Sequence, residues 1–294
     1  MTTSTAAAHF AGANSLKVQI PEPFSDQSEI SFHFDEGIDP AEYGALTFAI
    51  GSNHLNMDAY LYVVDSNGTE LPGVSVTSYL ANRALSEDWQ VVWVPLRDLI
   101  GSTGTIASFH LKFSQGGTVW LDEVNVVEEL VWPLPEFPAG NHTTGYLFGE
   151  NWLETGDLHG GVDYSTCATA NKTVVAAHAG KVVDLHEDSD PLWGWHVIIQ
   201  SASDVFATKY THVTPTIELN SYVEAGDPIG VTGDIPSPHL HFAIRMGLYD
   251  INTDAAIMYA GALSPSTFPE AFIDPSLAWP THTIIADDCI PLAP

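Results

Sequence analysis

Two short segments place histidine and aspartate at spacings that suit a metal site. In His159-Gly-Gly-Val-Asp163, an imidazole and a carboxylate flank two glycines, where a turn can bring both side chains to one ion. In the segment 238–245, PHLHFAIR, His239 and His241 alternate with apolar residues. Because successive side chains of a strand point to opposite faces, these two histidines share one face. Each segment alone also fits solvated surface residues, so the combination carries the prediction.

Three further segments extend the pattern. Tyr210-Thr-His212 adds another histidine, and the segment 177–183, AHAGKVV, predicts the start of a strand. The segment 226–233, GDPIGVTG, predicts a glycine-bounded hairpin just before the His-Leu-His strand. Taken in order, these motifs resemble the lysostaphin-type zinc metallopeptidases, also described as LytM-like or beta-lytic. The resemblance extends from about residue 149 to residue 275 and rests on the joint order of the motifs.

This family resemblance implies a role for each polar residue. His159, Asp163 and His241 match the zinc ligands, and His212 and His239 match the catalytic histidines. Three protein ligands leave a fourth zinc position for water, which the metal makes more acidic. Two further imidazoles can take the proton of that water, stabilise the oxyanion and protonate the leaving amine. The resemblance therefore implies a zinc metallo-endopeptidase that hydrolyses peptidoglycan stem peptides or cross-bridges, or Gly-rich peptides.

The sequence departs from the family pattern in two respects. Ala243 stands where the family often has Glu, on the same strand face as His239 and His241, so support of the site or contact with substrate differs. Many wall-lytic enzymes also carry basic wall-binding modules, whereas this chain is strongly acidic. Four further histidines match no ligand or catalytic position, and we expect them to be structural or solvated: His178, His186, His196 and His282.

Other functions compete with the endopeptidase. A non-catalytic regulator that binds wall peptides, or a sugar-binding adhesin with an inert second domain, would not need all five residues of the pattern. A D-Ala-D-Ala carboxypeptidase also uses a His-x-His strand, but its His-to-Asp spacing is longer than that of His159 and Asp163. Metal analysis separates the enzymes from the binding proteins, and product masses from digested peptidoglycan separate the two enzymes.

Composition limits the remaining classes of protein. A length of 294 residues suggests two domains of ordinary size or one large domain, and a hydrophobic fraction of 45% is enough for a sizeable core. Lys and Arg number 8 against 37 Asp and Glu, a formal net charge of −29, which disfavours binding to nucleic acid phosphates and to an anionic membrane. Solubility in a salty medium explains this charge, and we favour that over avoidance of polyanionic surfaces.

The first half of the chain has the strand and turn pattern of a β-sandwich. Five apolar segments predict strands: 45–50, 59–64, 89–96, 109–113 and 118–127. The runs DWQVVWVPLRDLIG and IASFHLKFSQGGTVWLDEVNVV resemble the jelly-roll modules that accompany carbohydrate-active enzymes. That resemblance implies a polysaccharide ligand that stacks on aromatic rings, although we favour a core position for any one of them: Tyr60, Tyr62, Trp89, Trp93 and Trp120. Asp35, Glu36 and Asp122 could hold a structural Ca²⁺, although solvated carboxylates are the simpler interpretation.

The predicted organisation has four parts. Residues 14–130 form a mostly β accessory module, and the Pro-rich stretch 131–140 forms a stiff linker open to proteolysis. Residues 141–280 form the peptidase domain, an antiparallel β-sheet with a narrow groove, and residues 281–294 form a tail. A disulfide between Cys167 and Cys289, the only cysteines, would attach this tail to the peptidase domain. The start is not a signal peptide, and no run is long and apolar enough to span a membrane. The family resemblance implies a secreted or cell-wall-associated protein, and we expect that its signal has been removed.

Overall fold

A computed structural model gives the architecture of the chain. It describes residues 2–4, 15–21, 29–80, 83–100, 104–142, 146–151, 156–187, 194–252, 262–263, 272–279 and 282–283. Two compact units are present, residues 1–129 and 130–294. Strands dominate both units, and nearly all strand pairs are antiparallel, which confirms the mostly β fold predicted from the sequence. No helix among these residues has the length and hydropathy to span a bilayer.

The first unit contains nine strands in two sheets. The strands are β1 (Thr2–Ser4), β2 (Ser15–Ile20), β3 (Glu29–Ile38), β4 (Ala45–Ser52), β5 (Ala59–Asp65), β6 (Val74–Ser75), β7 (Gln90–Pro95), β8 (Ile106–Phe113) and β9 (Gly117–Val127). A 3-10 helix spans Val76–Tyr79, and a single-turn helix, α1, spans Leu96–Leu99. One sheet has the order β1-β2-β9-β4-β7, and the other has the order β3-β8-β5-β6. Side chains from both sheets share one apolar core.

The five aromatic residues suggested for sugar stacking lie mostly inside this unit. Trp93 and Tyr62 are buried, Trp89 and Trp120 are half-buried, and only Tyr60, at 44% exposure, is open to solvent. Tyr62 stacks on His110 of the adjacent strand β8 and donates a hydrogen bond to Glu29 on β3, the next strand beyond. These contacts support the core interpretation and give no support for polysaccharide binding.

The proposed calcium ligands do not converge. Asp35 and Glu36 belong to β3 in the four-stranded sheet, whereas Asp122 belongs to β9 in the five-stranded sheet. Across the described part of the chain, the only group of three metal-binding side chains with ligand atoms within 4.8 Å of one another lies in the second unit. The structure therefore gives no support for a calcium site formed by these three carboxylates, because the fold places them on different sheets.

The second unit contains fourteen described strands. They are β10 (Asn141–His142), β11 (Leu158–His159), β12 (Val162–Ser165), β13 (Thr173–Val175), β14 (Gly180–Glu187), β15 (Trp195–Ser201), β16 (Phe206–Thr211), β17 (Val213–Pro215), β18 (Tyr222–Val223), β19 (Pro228–Thr232), β20 (His239–Met246), β21 (Ala262–Leu263), β22 (Phe272–Ile273) and β23 (His282–Thr283). A 3-10 helix spans Pro275–Leu277. The main sheet has the order β12-β20-β16-β15-β14-β18, with β22 also paired to β20.

The main sheet of the second unit is buried on both faces. On one face, Tyr164, Phe242, Trp132 and Trp279 form a cluster of rings whose centroids lie 4.6 to 6.1 Å apart. The opposite face carries His239 and His241, and we call it the site face. Because strands alternate their side chains, Leu240 and Phe242 are buried on the face of the ring cluster, and His239 and His241 lie on the site face.

The stretch 131–140 makes contacts that a spacer would not make. Leu134 and Phe137 are buried, and Trp132 contacts two rings of the cluster on the main sheet. The carboxylate of Glu136 accepts a hydrogen bond from the Thr173 backbone at 3.0 Å and another from a neighbouring lysine. Proline-rich segments can pack through the apolar residues between the prolines, and that is the case for residues 130–137. This stretch is therefore part of the second unit. The functions predicted from the sequence for the accessory module and the peptidase domain stay predictions.

Candidate metal centre and active site

Three side chains meet on the site face, two from the adjacent strands β12 and β20 and one from the short strand β11. Asp163 on β12 lies directly opposite His241 on β20, and His159 on β11 lies four residues before Asp163. His241 Nδ1 lies 3.0 Å from His159 Nε2 and 3.0 Å from Asp163 Oδ1, and His159 Nε2 lies 3.2 Å from the same oxygen. All three residues are at most 4% exposed.

A glycine turn lets the two strands approach closely enough for this cluster. At Gly161, an added Cβ would lie 2.4 Å from the Phe242 carbonyl oxygen and 2.9 Å from His241 Nε2. No side chain fits there without a shift of the backbone or of the imidazole. Glycine at position 161 is therefore a steric requirement for the position of His241.

The cluster fits a zinc ion. Two imidazole nitrogens and one carboxylate oxygen are the donor set of catalytic zinc sites that keep an open fourth position. A tetrahedral ion with bonds of about 2.0–2.2 Å holds its ligand atoms roughly 3.3 Å apart, close to the separations in this cluster. All three atoms can accept a proton or bind a cation, and they lie close together away from water. A cation between them would compensate for the cost of burying them.

The electrostatics of the cluster favour the forms that bind metal. Burial by itself raises the pKa of the Asp163 carboxyl, but hydrogen bonds from His159 and His241 outweigh it and hold that pKa well below its usual range. Burial also lowers the pKa of His241 well below its usual value, against the opposing effect of the Asp163 carboxylate. The cluster therefore presents an ionised carboxylate beside a neutral imidazole at neutral pH.

His239 lies beside this cluster but outside it. Its Nε2 lies 3.6 Å from Asp163 Oδ1, farther than either nitrogen of the cluster. Its Nδ1 lies 2.7 Å from the Ser237 carbonyl oxygen. A carbonyl can only accept a hydrogen bond, so Nδ1 carries the proton, and in the neutral ring Nε2 is the free base. The side chain of His239 is 17% exposed, which leaves Nε2 within reach of a bound molecule.

His212 completes the set from a strained position. The residue lies between β16 and β17 with φ of +63°, a left-handed conformation that a non-glycine residue seldom adopts. Its carbonyl oxygen accepts a hydrogen bond from the Gly233 backbone at 2.7 Å. The His212 ring lies 4.4 Å from the His239 ring, centroid to centroid. The structure thus brings all five residues predicted from the sequence into one group.

A row of polar residues continues from the cluster across the sheet. Asp163 pairs with His241, His241 with Thr211, Thr211 with His196, and His196 with His186. Thr211 Oγ1 lies 3.3 Å from His196 Nδ1, and His196 is fully buried. Burial, with a smaller contribution from a nearby lysine, lowers the pKa of His196 to about 2. His196 and half-buried His186 are therefore structural members of the site face, and His196 stays neutral.

The remaining histidines and Ala243 have defined environments or lie at the edge of the described chain. His178 is fully buried and lies 2.8 Å from Thr208 Oγ1, through Nε2. His282 belongs to β23. Ala243 packs in an apolar cluster with Ile198 on the same sheet face. A small side chain at position 243 thus extends the apolar floor beyond the polar row.

Sequence reasoning missed two residues of the site face. Thr211 lies in the polar row, and Lys209 is only 1% exposed although it carries an ammonium group. Lys209 and Thr211 are two residues apart on β16, and side chains alternate along a strand, so both lie on the same face of β16. This spacing could have placed them together from the sequence. A buried lysine is rare enough that no sequence pattern indicated its burial.

Comparisons with known proteins agree with the motif analysis. The model of peptidase family M23 matches residues 157–253, the segment that holds all five site residues. No curated protein matches the chain. The resemblance to lysostaphin-type peptidases is therefore confirmed for residues 157–253, whereas the jelly-roll resemblance of the first unit is not confirmed.

Solved structures include several similar proteins. The catalytic domain of the antimicrobial peptidase lysostaphin from Staphylococcus simulans is 27% identical, covers 43% of this chain and 90% of its own, and has a TM-score of 0.32. A catalytic domain of a prophage-encoded M23 protein from Enterococcus faecalis is 28% identical, covers 38% of this chain and 86% of its own, and has a TM-score of 0.31. A longer lysostaphin structure is 24% identical, covers 47% of this chain and has a TM-score of 0.33, and the match spans 53% of that protein.

The loop that follows β12 is covalently constrained. Cys167 is disulfide-bonded in the structure. Its backbone N–H donates to Ser165 Oγ, and Ser165 lies opposite His239 in the sheet. Cys289 lies outside the described residues, so the pairing of Cys167 with Cys289 stays a prediction.

Proposed function

We propose that this protein is a zinc metallo-endopeptidase that cleaves peptidoglycan stem peptides or cross-bridges, or Gly-rich peptides. One observation carries the proposal: three buried ligand atoms lie within 3.2 Å of one another, with two further imidazoles beside them, inside a peptidase family M23 segment. Metal analysis of the purified chain is the first test, and we expect one zinc per chain.

His159, Asp163 and His241 would hold the ion through Nε2, Oδ1 and Nδ1. When bound, zinc supplies Lewis acidity to a water molecule and to a peptide carbonyl group. The buried carboxylate offsets part of the ion's charge, and the two imidazoles bind as neutral ligands. The protein contributes a fixed geometry that costs little to reorganise on binding.

His239 is suited to move a proton. Its Nδ1 is held by the Ser237 carbonyl, so its Nε2 is unprotonated in the neutral ring and faces the cluster. We assign Nε2 the role of general base, which accepts the proton of the attacking water. The same nitrogen then gives that proton to the leaving amine, so the proton returns to the products.

His212 is suited to stabilise charge. Its strained backbone and its bond to Gly233 fix the ring against His239 in a pocket of low exposure. A donor fixed in such a site needs no reorganisation when negative charge develops on a carbonyl oxygen. We assign His212 this role and expect its removal to leave the ligand cluster intact.

The substrate assignment draws on the family and on the names of similar proteins. Lysostaphin is described as an antimicrobial peptidase, which fits a target in the bacterial wall. We therefore place this chain outside the cell, secreted or attached to the wall. The first unit, residues 1–129, is proposed to be an accessory module.

Digestion of purified sacculi tests the function directly. Sacculi with several cross-link chemistries are incubated with the zinc-loaded chain, and the released fragments are identified by mass. We expect new amino and carboxyl termini within stem peptides or cross-bridges, and no products with the His212→Ala variant. Release of C-terminal D-Ala alone would show a carboxypeptidase. Zinc binding without any product would show a non-catalytic wall-peptide-binding regulator or adhesin.

A further inference from the structure

The imidazole ring of His239 is oriented by an exposed residue. His239 is the first residue of β20, and Asp234, Pro236 and Ser237 before it are exposed. The hydrogen bond from His239 Nδ1 runs to the carbonyl oxygen of Ser237. Exposed connecting segments are more mobile than the strands they join, so this carbonyl group needs a fixed neighbour. That neighbour is Pro238, which is buried and joins Ser237 to the strand.

A threonine side chain anchors Pro238 where backbone pairing ends. The paired residues of β12 and β20 end at Ser165 and His239, and the same register would place Thr166 opposite Pro238. Proline has no N–H group, so a backbone pair at this point would lack one of its donors. The Thr166 side chain supplies a donor, because its Oγ1 donates to the Pro238 carbonyl oxygen at 2.8 Å. Thr166 is fully buried, so this hydrogen bond is shielded from water.

A tight turn fixes the position of Thr166. The backbone N–H of Thr169 donates to the Thr166 carbonyl oxygen at 3.0 Å, and the backbone N–H of Cys167 donates to Ser165 Oγ at 2.9 Å. Cys167 and Ala168 both have positive φ, +55° and +53°, as the two central residues of a type I′ turn have. Threonine is also β-branched, which restricts its χ1 rotamers. The Thr166 hydroxyl group is therefore a donor with a defined direction.

We propose that Thr166 is a positioning residue for the general base of the proposed peptidase. Its hydroxyl group fixes the Pro238 peptide unit, this unit fixes the Ser237 carbonyl oxygen, and that oxygen holds the Nδ1 proton of His239. His239 Nε2 then stays unprotonated in the neutral ring, 3.6 Å from Asp163 Oδ1. Loss of the hydroxyl group leaves every metal ligand in place, so the effect falls on proton transfer and not on zinc. The inference rests on the proposed function, which makes His239 the base.

Removal of the hydroxyl group at constant volume tests this role. In Thr166→Val a methyl group replaces the hydroxyl group, and the Pro238 carbonyl oxygen loses this donor. We expect kcat on the peptide cleaved in sacculi to fall about tenfold or more, with KM within about twofold of the parent value and zinc fully retained after dialysis. Thr166→Ser keeps the hydroxyl group and should restore kcat to within about threefold of the parent value. Unchanged kcat in Thr166→Val, or loss of its zinc, would overturn the inference.

Thr208 provides a matched control. It is also fully buried, it belongs to β16 of the same sheet, and its Oγ1 donates to the Tyr210 hydroxyl oxygen at 3.2 Å. Because side chains alternate along a strand, Thr208 lies on the face opposite to Thr211 and the site. We expect Thr208→Val to keep the kcat, KM and zinc content of the parent, even if its melting temperature falls as far as that of Thr166→Val. An equal fall in kcat in the two valine variants would show general destabilisation and overturn the inference.

The tautomer of His239 can be measured without any hydrolysis. Long-range ¹H–¹⁵N spectra of the full chain at mildly alkaline pH distinguish a proton on Nδ1 from one on Nε2, and the spectrum of His239→Ala assigns the signals. We expect the Nδ1–H form alone in the parent and in Thr166→Ser, and a mixture of both forms in Thr166→Val.

The same spectra separate this inference from the peptidase function. The expected tautomers together with no hydrolysis of any peptide by the zinc-loaded parent would refute the peptidase function, whereas the positioning of His239 by Thr166 would stand. A mixture of tautomers in the parent, or the Nδ1–H form alone in Thr166→Val, would overturn the inference whatever the activity of the protein.

Discussion

His239 and His241 present different ring nitrogens to the same carboxylate oxygen. His241 Nδ1 lies 3.0 Å from Asp163 Oδ1, whereas His239 Nε2 lies 3.6 Å from it. The hydrogen bond from His239 Nδ1 to the Ser237 carbonyl fixes this difference, because it directs Nε2 toward the site and holds the ring back from the cluster. Two histidines on one strand face can therefore have different roles, His241 as a metal ligand and His239 as a base.

Replacement of Gly161 should break the metal cluster without touching a ligand. The Cβ of Gly161→Ala would lie 2.4 Å from the Phe242 carbonyl oxygen and 2.9 Å from His241 Nε2. Relief of such a clash in a packed site typically costs about 1–3 kcal/mol. We expect at least tenfold weaker zinc binding, measured by competition with a chromophoric chelator, and a lower melting temperature.

A second glycine provides the control for that variant. The Cβ of Gly233→Ala would lie 3.4 Å from the His212 carbonyl oxygen, an ordinary contact. We expect Gly233→Ala to bind zinc as the parent protein does. Unchanged zinc affinity in Gly161→Ala would contradict the steric role of the glycine turn.

The site was predictable because its signals are local. The period-two pattern of His239 and His241, the glycine turn before Asp163 and the position of His212 after a strand each follow from a few adjacent residues. The strands of the first unit were predictable for the same reason. The sequence could not show which residues, far away along the chain, pack against these strands.

The Pro-rich stretch illustrates that limit. Its prolines indicate a segment that cannot be a central strand, and a spacer was the simplest interpretation. Its apolar residues decide the outcome, because Trp132 and Phe137 pack on a sheet formed far away in sequence. The burial of Lys209 also depends on partners from other strands.

The second unit should require residues 130–137 for stability. A fragment that starts at residue 130 keeps Trp132, Leu134 and Phe137, and we expect it to fold and bind zinc. A fragment that starts at residue 141 loses the half-buried Trp132 and the buried Leu134 and Phe137. Removal of each of the two buried side chains from a core costs roughly 2–5 kcal/mol. Thermal unfolding of the two fragments measures the difference. Equal melting temperatures would show that the stretch is a linker after all.

The buried His178 should make the second unit sensitive to acid. Burial lowers its pKa from 6.5 to about 4, against a hydrogen bond from the ring to the Ala179 carbonyl. Between these values the unfolded chain binds the proton and the folded chain does not. The stabilising contribution is therefore complete above pH 6.5 and is lost as the pH falls toward 4, by on the order of 3 kcal/mol.

The His178→Gln variant tests that contribution. It removes the titrating group, so the free energy of unfolding of the second unit should fall less steeply than in the parent protein between pH 6.5 and pH 4. Hydrogen exchange of the β16 amides, corrected for the intrinsic pH dependence, measures the difference. Identical slopes in the parent and the variant would show that His178 does not carry this sensitivity.

The pairing of the two cysteines can be tested by thiol titration. If Cys167 pairs with Cys289 within the chain, the denatured and unreduced protein should show no free thiol, and the monomer should show two after reduction. Peptide mapping without reduction should recover the two cysteines in one linked peptide. Two free thiols before reduction would contradict the prediction.

We assign His241 the role of zinc ligand and His239 the role of catalytic base, and one pair of measurements tests both roles. Zinc per chain after dialysis and turnover on a cleaved peptide are measured together for His241→Ala, His239→Ala and the parent protein. We predict that His241→Ala loses most of its zinc and all turnover, because two protein ligands remain. His239→Ala should keep one zinc per chain and lose about 10²–10⁴-fold in turnover. Equal zinc loss in the two variants, or full retention in His241→Ala, would contradict the account.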